Sequence, residues 1–372
     1  MGGEELVPGQ PDLETPGLVT CSGSNNKVVF STPQGVVFHN NNGNRPTTTI
    51  TTTMLRQQTK GITRIITLPG QGKLIPPQLI AALAPAHRRS TIAIPHRLAQ
   101  PLFDTSTPKE YFLRSSHLQP SVVYVSLLIV ELLQHRGITL EAKYILGHSL
   151  GELTALVLNG VLEKDAAVEI AHRRGLFMEA AVDREKQYGM YAYIFKEGGY
   201  DFIKEALKKW DSLGIANYNT TTQCVVSGEV KQLAELTDYL KKEMKIKATK
   251  LDVILPFHNK KLSEAKDKFR ELMKNYDVNT EKRLQVPIAS NLDGQLAYTH
   301  GEAMEKFIED FSTTVEFVKC LQTVIHTDDK VQLLNIGPNA RVIQTMANKA
   351  DKESRIVNNK TLETLEDISL FE

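Results

Sequence analysis

The sequence predicts an α/β fold in which a parallel-sheet core is interrupted by a smaller β-α-β-β-α-β unit. Two short apolar runs, "ITRIITLPGQG" (62–72) and "AKYIL" (142–146), end in glycine-bearing loops, as buried strands do. Between 188 and 252 the pattern changes to short strands and amphipathic helices, and helix–strand alternation resumes afterwards.

The elements follow in order. "SVVYVSLLIVELLQHRG" (121–137) reads as a helix stopped by Gly137. Its apolar part, 122–133, contains Ser126 and Glu131 and is too short for a membrane span, so it reads as a core helix. After the strand "AKYIL" come a tight turn, "GHSLG", and a helix, "ELTALVLNG". "YGMYAYIF" is a strand, "YDFIKEALKKW" a helix, "GIANYN" and "TQCVVSG" paired strands, "EVKQLAELTDYLKKE" a helix and "IKATKLDV" a strand. That order is the ferredoxin-like arrangement. In "LSEAKDKFRELMKNY", Leu262, Ala265, Phe269, Leu272 and Tyr276 share one helical face. "VQLLNIGPNARVI" is strand, Gly-Pro loop and helix. The predicted domains are 61–187 with 253–372 as the large core, and 188–252 as the inserted small subdomain.

Composition sets limits. The chain has 372 residues, 41% hydrophobic and 23% charged, enough for a sizeable core. A formal net charge of +1 gives no reason to expect nucleic-acid binding. Cys21, Cys224 and Cys320 lie far apart without metal-ligand spacing, so no metal is expected and a reducing compartment is. Residues 1–60 read as a disordered or targeting leader. "HNNNGNRPTTTITTT" (39–53) is polar and low in complexity, and no acidic residue occurs between Glu14 and Asp104. Glu4, Glu5, Asp12 and Glu14 oppose a targeting helix at Met1, whereas a start at Met54 would open on a basic, acid-free segment. A tail without an address fits equally.

The chemistry centres on Ser149. GxSxG alone is weak, but a strand, a turn and a helix around it form a nucleophile elbow. Ser149 would sit at a helix N-terminus, with the Leu150 N–H placed as an oxyanion donor. A capping serine is the other reading. A nucleophilic serine needs a base. His258, at a strand end in "ILPFHNKKL", is the candidate; His148 is too local to reach its neighbour's hydroxyl. Plotted at helical spacing, Ala167, Ile170, Ala171, Phe177, Met178 and Ala181 make an apolar stripe with Arg174 in its middle. A buried arginine needs an anion, either an internal acid or an arriving substrate carboxylate. "LPGQG" (68–72) is a close-approach loop in which Gln71 could donate to an oxyanion.

"LPGQG", "GHSLGE" (147–152), "RRGLFM" (173–178) and "LPFH" (255–258) together resemble the malonyl-CoA:acyl-carrier-protein transacylases, over roughly residues 61–345. "LQPS" (118–121), "GIANYNTTTQCVVSGEV" (214–230), "SNLDG" (290–294) and "IGPNARV" support this, as do the separations of 25 and 109 residues from Ser149 to Arg174 and His258. Details of the "SNLDG" and "PFHN" segments are similar to fungal mitochondrial malonyltransferases. The resemblance implies a hydrolase-like parallel-sheet core with the inserted ferredoxin-like subdomain. It implies malonyl transfer from malonyl-CoA to the phosphopantetheine thiol of acyl carrier protein, for type II fatty acid synthesis, with no cofactor.

Position by position, the resemblance implies Ser149 as nucleophile and His258 as base. The N–H groups of Gln71 and Leu150 form the oxyanion hole, and Arg174 holds the malonyl carboxylate. Phe257 and His148 join the substrate-binding set. Asp310 stands where bacterial members carry a glutamine whose carbonyl orients the histidine, leaving a backbone role or a side-chain triad open. Pro76 and Pro77 interrupt the family's usual helix. Acyl carrier protein and malonyl-CoA are the implied partners, the chain a monomer, and the location the mitochondrial matrix, with the cytosol as alternative. Eleven Lys/Arg against five Asp/Glu over 241–274 make Lys245, Lys247, Lys250, Lys260 and Lys261 a candidate docking surface, or simply a solvated face. A serine hydrolase is the rival, with Asp252 as the acid of its triad.

Overall fold

The computed structural model describes residues 27–32, 35–40, 62–196 and 198–369. Met1–Gln58 and Thr59–Glu372 are separate compact units. In the first, β1 (Lys27–Thr32) and β2 (Gly35–Asn40) pair antiparallel. These strands, in Val- and Phe-containing segments, lie within the stretch read as a disordered or targeting leader, the rest of which is outside the described residues.

The second unit begins with β3 (Thr63–Leu68), α1 (Pro77–His87), α2 (His96–Phe103), α3 (Ser115–His135), β4 (Tyr144–Gly147), α4 (Gly151–Leu158) and α5 (Lys164–Ala180). Next come β5 (Tyr188–Ile194), α6 (Gly199–Ala206), β6 (Gly214–Thr220), β7 (Gln223–Glu229), α7 (Val230–Met244) and β8 (Lys247–Lys250). The chain continues through α8 (Ser263–Met273), β9 (Arg283–Ala289), β10 (Leu296–Thr299), α9 (His300–Glu309), α10 (Phe317–Ile325), β11 (Val331–Ile336), α11 (Arg341–Ala350), β12 (Ile356–Leu362) and α12 (Leu365–Ser369).

Six strands form the main sheet in the order β10-β9-β4-β3-β11-β12. All neighbours are parallel except β10 and β9. Parallel strands covered on both faces should be apolar throughout, and β4 and the last four residues of β3 are buried. Insertion of β5 to β8 builds a second sheet, order β6-β7-β5-β8, with every pair antiparallel. Its helices α6 and α7 bury Ile203, Leu233, Leu236 and Leu240 against Tyr193 and Val226.

α3 is longer than the run read from sequence. Its 21 residues could cross a membrane by length and composition, yet 89% of that window is buried inside the fold. Pro76 and Pro77 do not interrupt a helix: Pro77 is the first residue of α1, where a missing N–H and a preset φ favour helix entry. α3 and α5 pack closely because Gly175 sits against the Ser115 and Ser116 backbone, where a Cβ would overlap it. That contact sets the arginine before it, Arg174, against the Gln119 side of α3.

Candidate active site

His148, Ser149 and Leu150 turn the chain from β4 into α4. Ser149 has φ = +50°, a left-handed conformation that a side chain adopts only under constraint. The flanking glycines are steric requirements. A Cβ at Gly147 would overlap the backbone of Gly151 and Glu152, and one at Gly151 would overlap the Leu68 carbonyl.

This strained turn points the Ser149 hydroxyl at His258, with Oγ 2.6 Å from Nε2. On the far side of the ring, Nδ1 lies 2.8 Å from the Asp310 carbonyl oxygen. A carbonyl only accepts, so Nδ1 carries the proton and Nε2 presents its lone pair to the serine. Burial, reinforced by the nearby Arg174 charge, lowers the His258 pKa to about 3, so the imidazole is neutral and able to accept a proton. The Asp310 carboxylate plays no such part. Its Oδ2 is 3.7 Å from Nδ1, and neither carboxylate oxygen has a hydrogen-bond partner among the described residues. Of the two alternatives left open at Asp310, the geometry is the backbone one. Asp252, the acid that a hydrolase triad would use, is exposed and makes no hydrogen bond to His258.

Arg174 is 3% exposed on α5, within a buried stripe that includes Ala167, Ile170, Ala171 and Met178. No carboxylate lies within ion-pair distance among the described residues. Nη1 donates to Gln119 Oε1 at 2.9 Å, Nε has no partner, and the guanidinium carbon lies 5.0 Å from the centre of the Phe311 ring. Burial lowers its pKa to about 10, with Asp310 and Glu152 opposing, so it remains cationic at neutral pH. A desolvated cation with open donors is a binding site for a carboxylate.

Leu150 and Gln71 both line the cleft beside Ser149. Neither Leu150 N–H nor Gln71 N–H donates to a protein acceptor among the described residues, whereas the Ser149 N–H is taken by Asn291 Oδ1 at 2.9 Å. Packing brings the two loops together, since a Cβ on Gly70 would overlap the His148 carbonyl and lie 3.3 Å from the Leu150 nitrogen. The Gln71 side chain turns away to Ser115 Oγ, 3.4 Å from its Nε2.

Gln71, His148, Ser149, Leu150, Arg174, Phe257 and His258 all line one cavity of about 200 Å³. The small sheet closes it with Met190, Asn219 and Val225. His148 is half-buried, held by Asn219 Oδ1 3.0 Å from Nε2 and by an edge contact with Phe317. Asp310 alone of the expected residues is outside the lining; its carbonyl supports His258 from behind. Four further residues carried no assigned role in the sequence reading: Gln119, Glu152, Asn219 and Asn291. All four fall in segments that carried the resemblance, and their signal is a polar side chain inside a buried element.

Residues 78–364 match the family model described as the acyl transferase domain. The malonyl CoA-acyl carrier protein transacylase of Bacillus subtilis (strain 168) is 27% identical over 253 residues, covering 67% of this chain and 76% of that protein. The mitochondrial malonyl CoA-acyl carrier protein transacylase of Saccharomyces cerevisiae is 28% identical over 215 residues, 50% of this chain and 58% of that protein. Among solved structures, a malonyl-transacylase in complex with a type II polyketide acyl-carrier protein aligns with a TM-score of 0.71. Its identity is 21%, and the match covers 82% of this chain and 98% of that one. The chain belongs to the acyl transferase family, together with the malonyl-CoA:acyl-carrier-protein transacylases.

Proposed function

We propose that this chain is a malonyl-CoA:acyl-carrier-protein S-malonyltransferase of type II fatty acid synthesis. The observation that carries the reading is the buried Arg174, without an ion pair among the described residues and lining the same cavity as the Ser149–His258 couple. A hydrolase of simple esters has no use for that cation, whereas a malonyl group has a free carboxylate to place on it.

In the first half-reaction Ser149 Oγ attacks the thioester carbonyl carbon as its proton passes to His258 Nε2. The Leu150 and Gln71 N–H groups hold the oxyanion. The carbon–sulfur bond breaks, His258 returns the proton to the departing thiolate, and a malonyl ester remains on Ser149. The phosphopantetheine thiol of the carrier protein then attacks that ester by the reverse sequence, and Ser149 regains its proton. Arg174 anchors the acyl group through both steps, and Phe257 and His148 pack beside it. All proton transfers are served by side chains, so the reading requires no cofactor.

The finer organisation belongs to the same proposal. Residues 61–187 and 253–372 form a hydrolase-like acyltransferase core and 188–252 a ferredoxin-like insertion, a division supported by the element order and the strand order of the small sheet. Acyl carrier protein is the partner of a monomeric enzyme, and the name of the yeast relative supports the mitochondrial matrix over the cytosol.

The test is intact mass after incubation with malonyl-CoA. A malonyl adduct should form, be absent in Ser149→Ala, and be discharged by holo carrier protein faster than by water. Rapid release of free malonate without carrier protein would assign the chain to the hydrolases instead.

A further inference from the structure

We infer that Asn291, oriented by Glu152, is a positioning residue that clamps the nucleophile turn in its reactive conformation; this rests on the transferase reading above. Asn291 follows β9, the parallel neighbour of β4, in which Ala289 pairs with Leu146. Two residues beyond that pair, Asn291 lies opposite the serine turn. Its side chain spans the turn. Nδ2 donates to the Gly147 carbonyl at 2.6 Å, and Oδ1 accepts the Ser149 N–H at 2.9 Å. The bond to Ser149 therefore comes from outside the turn, where no local hydrogen bond satisfies its N–H.

Asn291 is itself held. Glu152 Oε1 accepts both the Asn291 N–H at 2.6 Å and its Nδ2 at 2.8 Å, while the Asn291 carbonyl accepts the Glu316 N–H at 2.7 Å. Burial raises the Glu152 pKa to about 7, but Oε1 takes the Asn291 backbone N–H, which can only donate. That oxygen is therefore an acceptor in either protonation state, and it fixes which end of the amide faces it. Reversing the amide would set Oδ1 against both Glu152 and the Gly147 carbonyl. Asn291 is fully buried and Glu152 is 3% exposed, so water offers neither a substitute partner. A left-handed serine persists only where its surroundings over-determine it, and this amide supplies that determination. The clamp also removes the Ser149 N–H from the oxyanion hole, leaving the Leu150 and Gln71 donors to form it.

The experiment is single-turnover acylation by malonyl-CoA, followed by rapid quench and intact mass. Asn291→Asp preserves shape but sets carboxylate oxygens against Gly147 and Glu152. It should slow acylation at saturating malonyl-CoA by about tenfold or more, with the half-saturation concentration within about twofold of wild type. Glu152→Gln keeps an acceptor and should stay within about threefold. Combining Asn291→Asp with Glu152→Gln removes the repulsion between two acidic side chains, so the double variant should acylate faster than Asn291→Asp alone. If Asn291→Asp does not fold, Glu152→Ala carries the same expectation of slow acylation at unchanged half-saturation. Acylation of the folded variant at the wild-type rate, a loss confined to half-saturation, or a double variant slower than Asn291→Asp would each overturn the clamp. Absence of any adduct on the wild-type enzyme would overturn the transferase reading itself.

Discussion

Arg174 and Asp310 are both buried around His258, yet they form no ion pair. Gln119 takes one guanidinium nitrogen, and His258 takes the aspartate's carbonyl instead of its carboxylate. Each still feels the other: burial, then Glu152, raises the Asp310 pKa while Arg174 opposes. Asp310 thus lies near the cation without pairing with it, and Arg174 is left able to bind an arriving carboxylate.

Asp310→Asn should leave acylation within about threefold of wild type, because the carbonyl that holds Nδ1 is unchanged. A working side-chain triad would lose about 10⁴ in the same substitution. Single-turnover acylation decides between them.

Arg174→Ala should lower kcat/KM for malonyl-CoA by about 10²-fold or more, the consequence of removing a buried carboxylate partner. Acetyl-CoA, which has no carboxylate to place there, should become comparatively better. Parallel assays with the two donors measure the ratio, and equal losses would refute the carboxylate role.

Gln119→Leu removes the acceptor that fixes Nη1. The half-saturation concentration for malonyl-CoA should rise about tenfold while the acylation rate at saturation changes less, since a mispositioned cation weakens binding first.

The acid limb of acylation should be displaced far below the ordinary histidine range. Burial is the main cause and the Arg174 field the second, together lowering His258 from 6.5 to about 3. A bound malonyl carboxylate cancels the field, so His258 becomes more basic in the complex. The acid limb should therefore lie at higher pH in the saturated rate constant than in that constant divided by half-saturation. With acetyl-CoA the two limbs should coincide. The sign for stability follows from proton uptake. Between 6.5 and the depressed value the unfolded chain binds a proton that the folded one does not, so stability falls as pH drops through that window. Rapid-quench rates and chemical denaturation, followed from about pH 8 down to about pH 3, check both.

Charge reversal at Lys260 and Lys261 should raise the KM for carrier protein and flatten its salt dependence, leaving malonyl-CoA acylation unchanged. Both lie in the short turn between His258 and α8, Lys260 exposed and Lys261 3.9 Å from Glu229. An unchanged KM and salt slope would make that run a solvated face.

The patterns legible in the chain were local ones. Apolar periodicity located β3, β4 and α5, and put Arg174 on the inner face of its helix without any knowledge of neighbours. Glycine spacing marked the serine turn, because only residues without a Cβ allow β3, β4 and α4 to meet so closely. From 188 to 252 the sequence pattern anticipated the order of elements, β5-α6-β6-β7-α7-β8. What lay beyond reach were partners set by long-range packing. Gln119 is 55 residues from Arg174, and Asn291 is 142 from Ser149. Nothing periodic links such pairs; the α3–α5 crossing and the β4–β9 register do. The choice of carbonyl over carboxylate at Asp310 is likewise invisible in residue identity, since it depends on which way a buried backbone turns. Residue chemistry supplied the serine, the imidazole and the guanidinium. Tertiary packing alone decided their distances, their charge states and the unshared position of the cation.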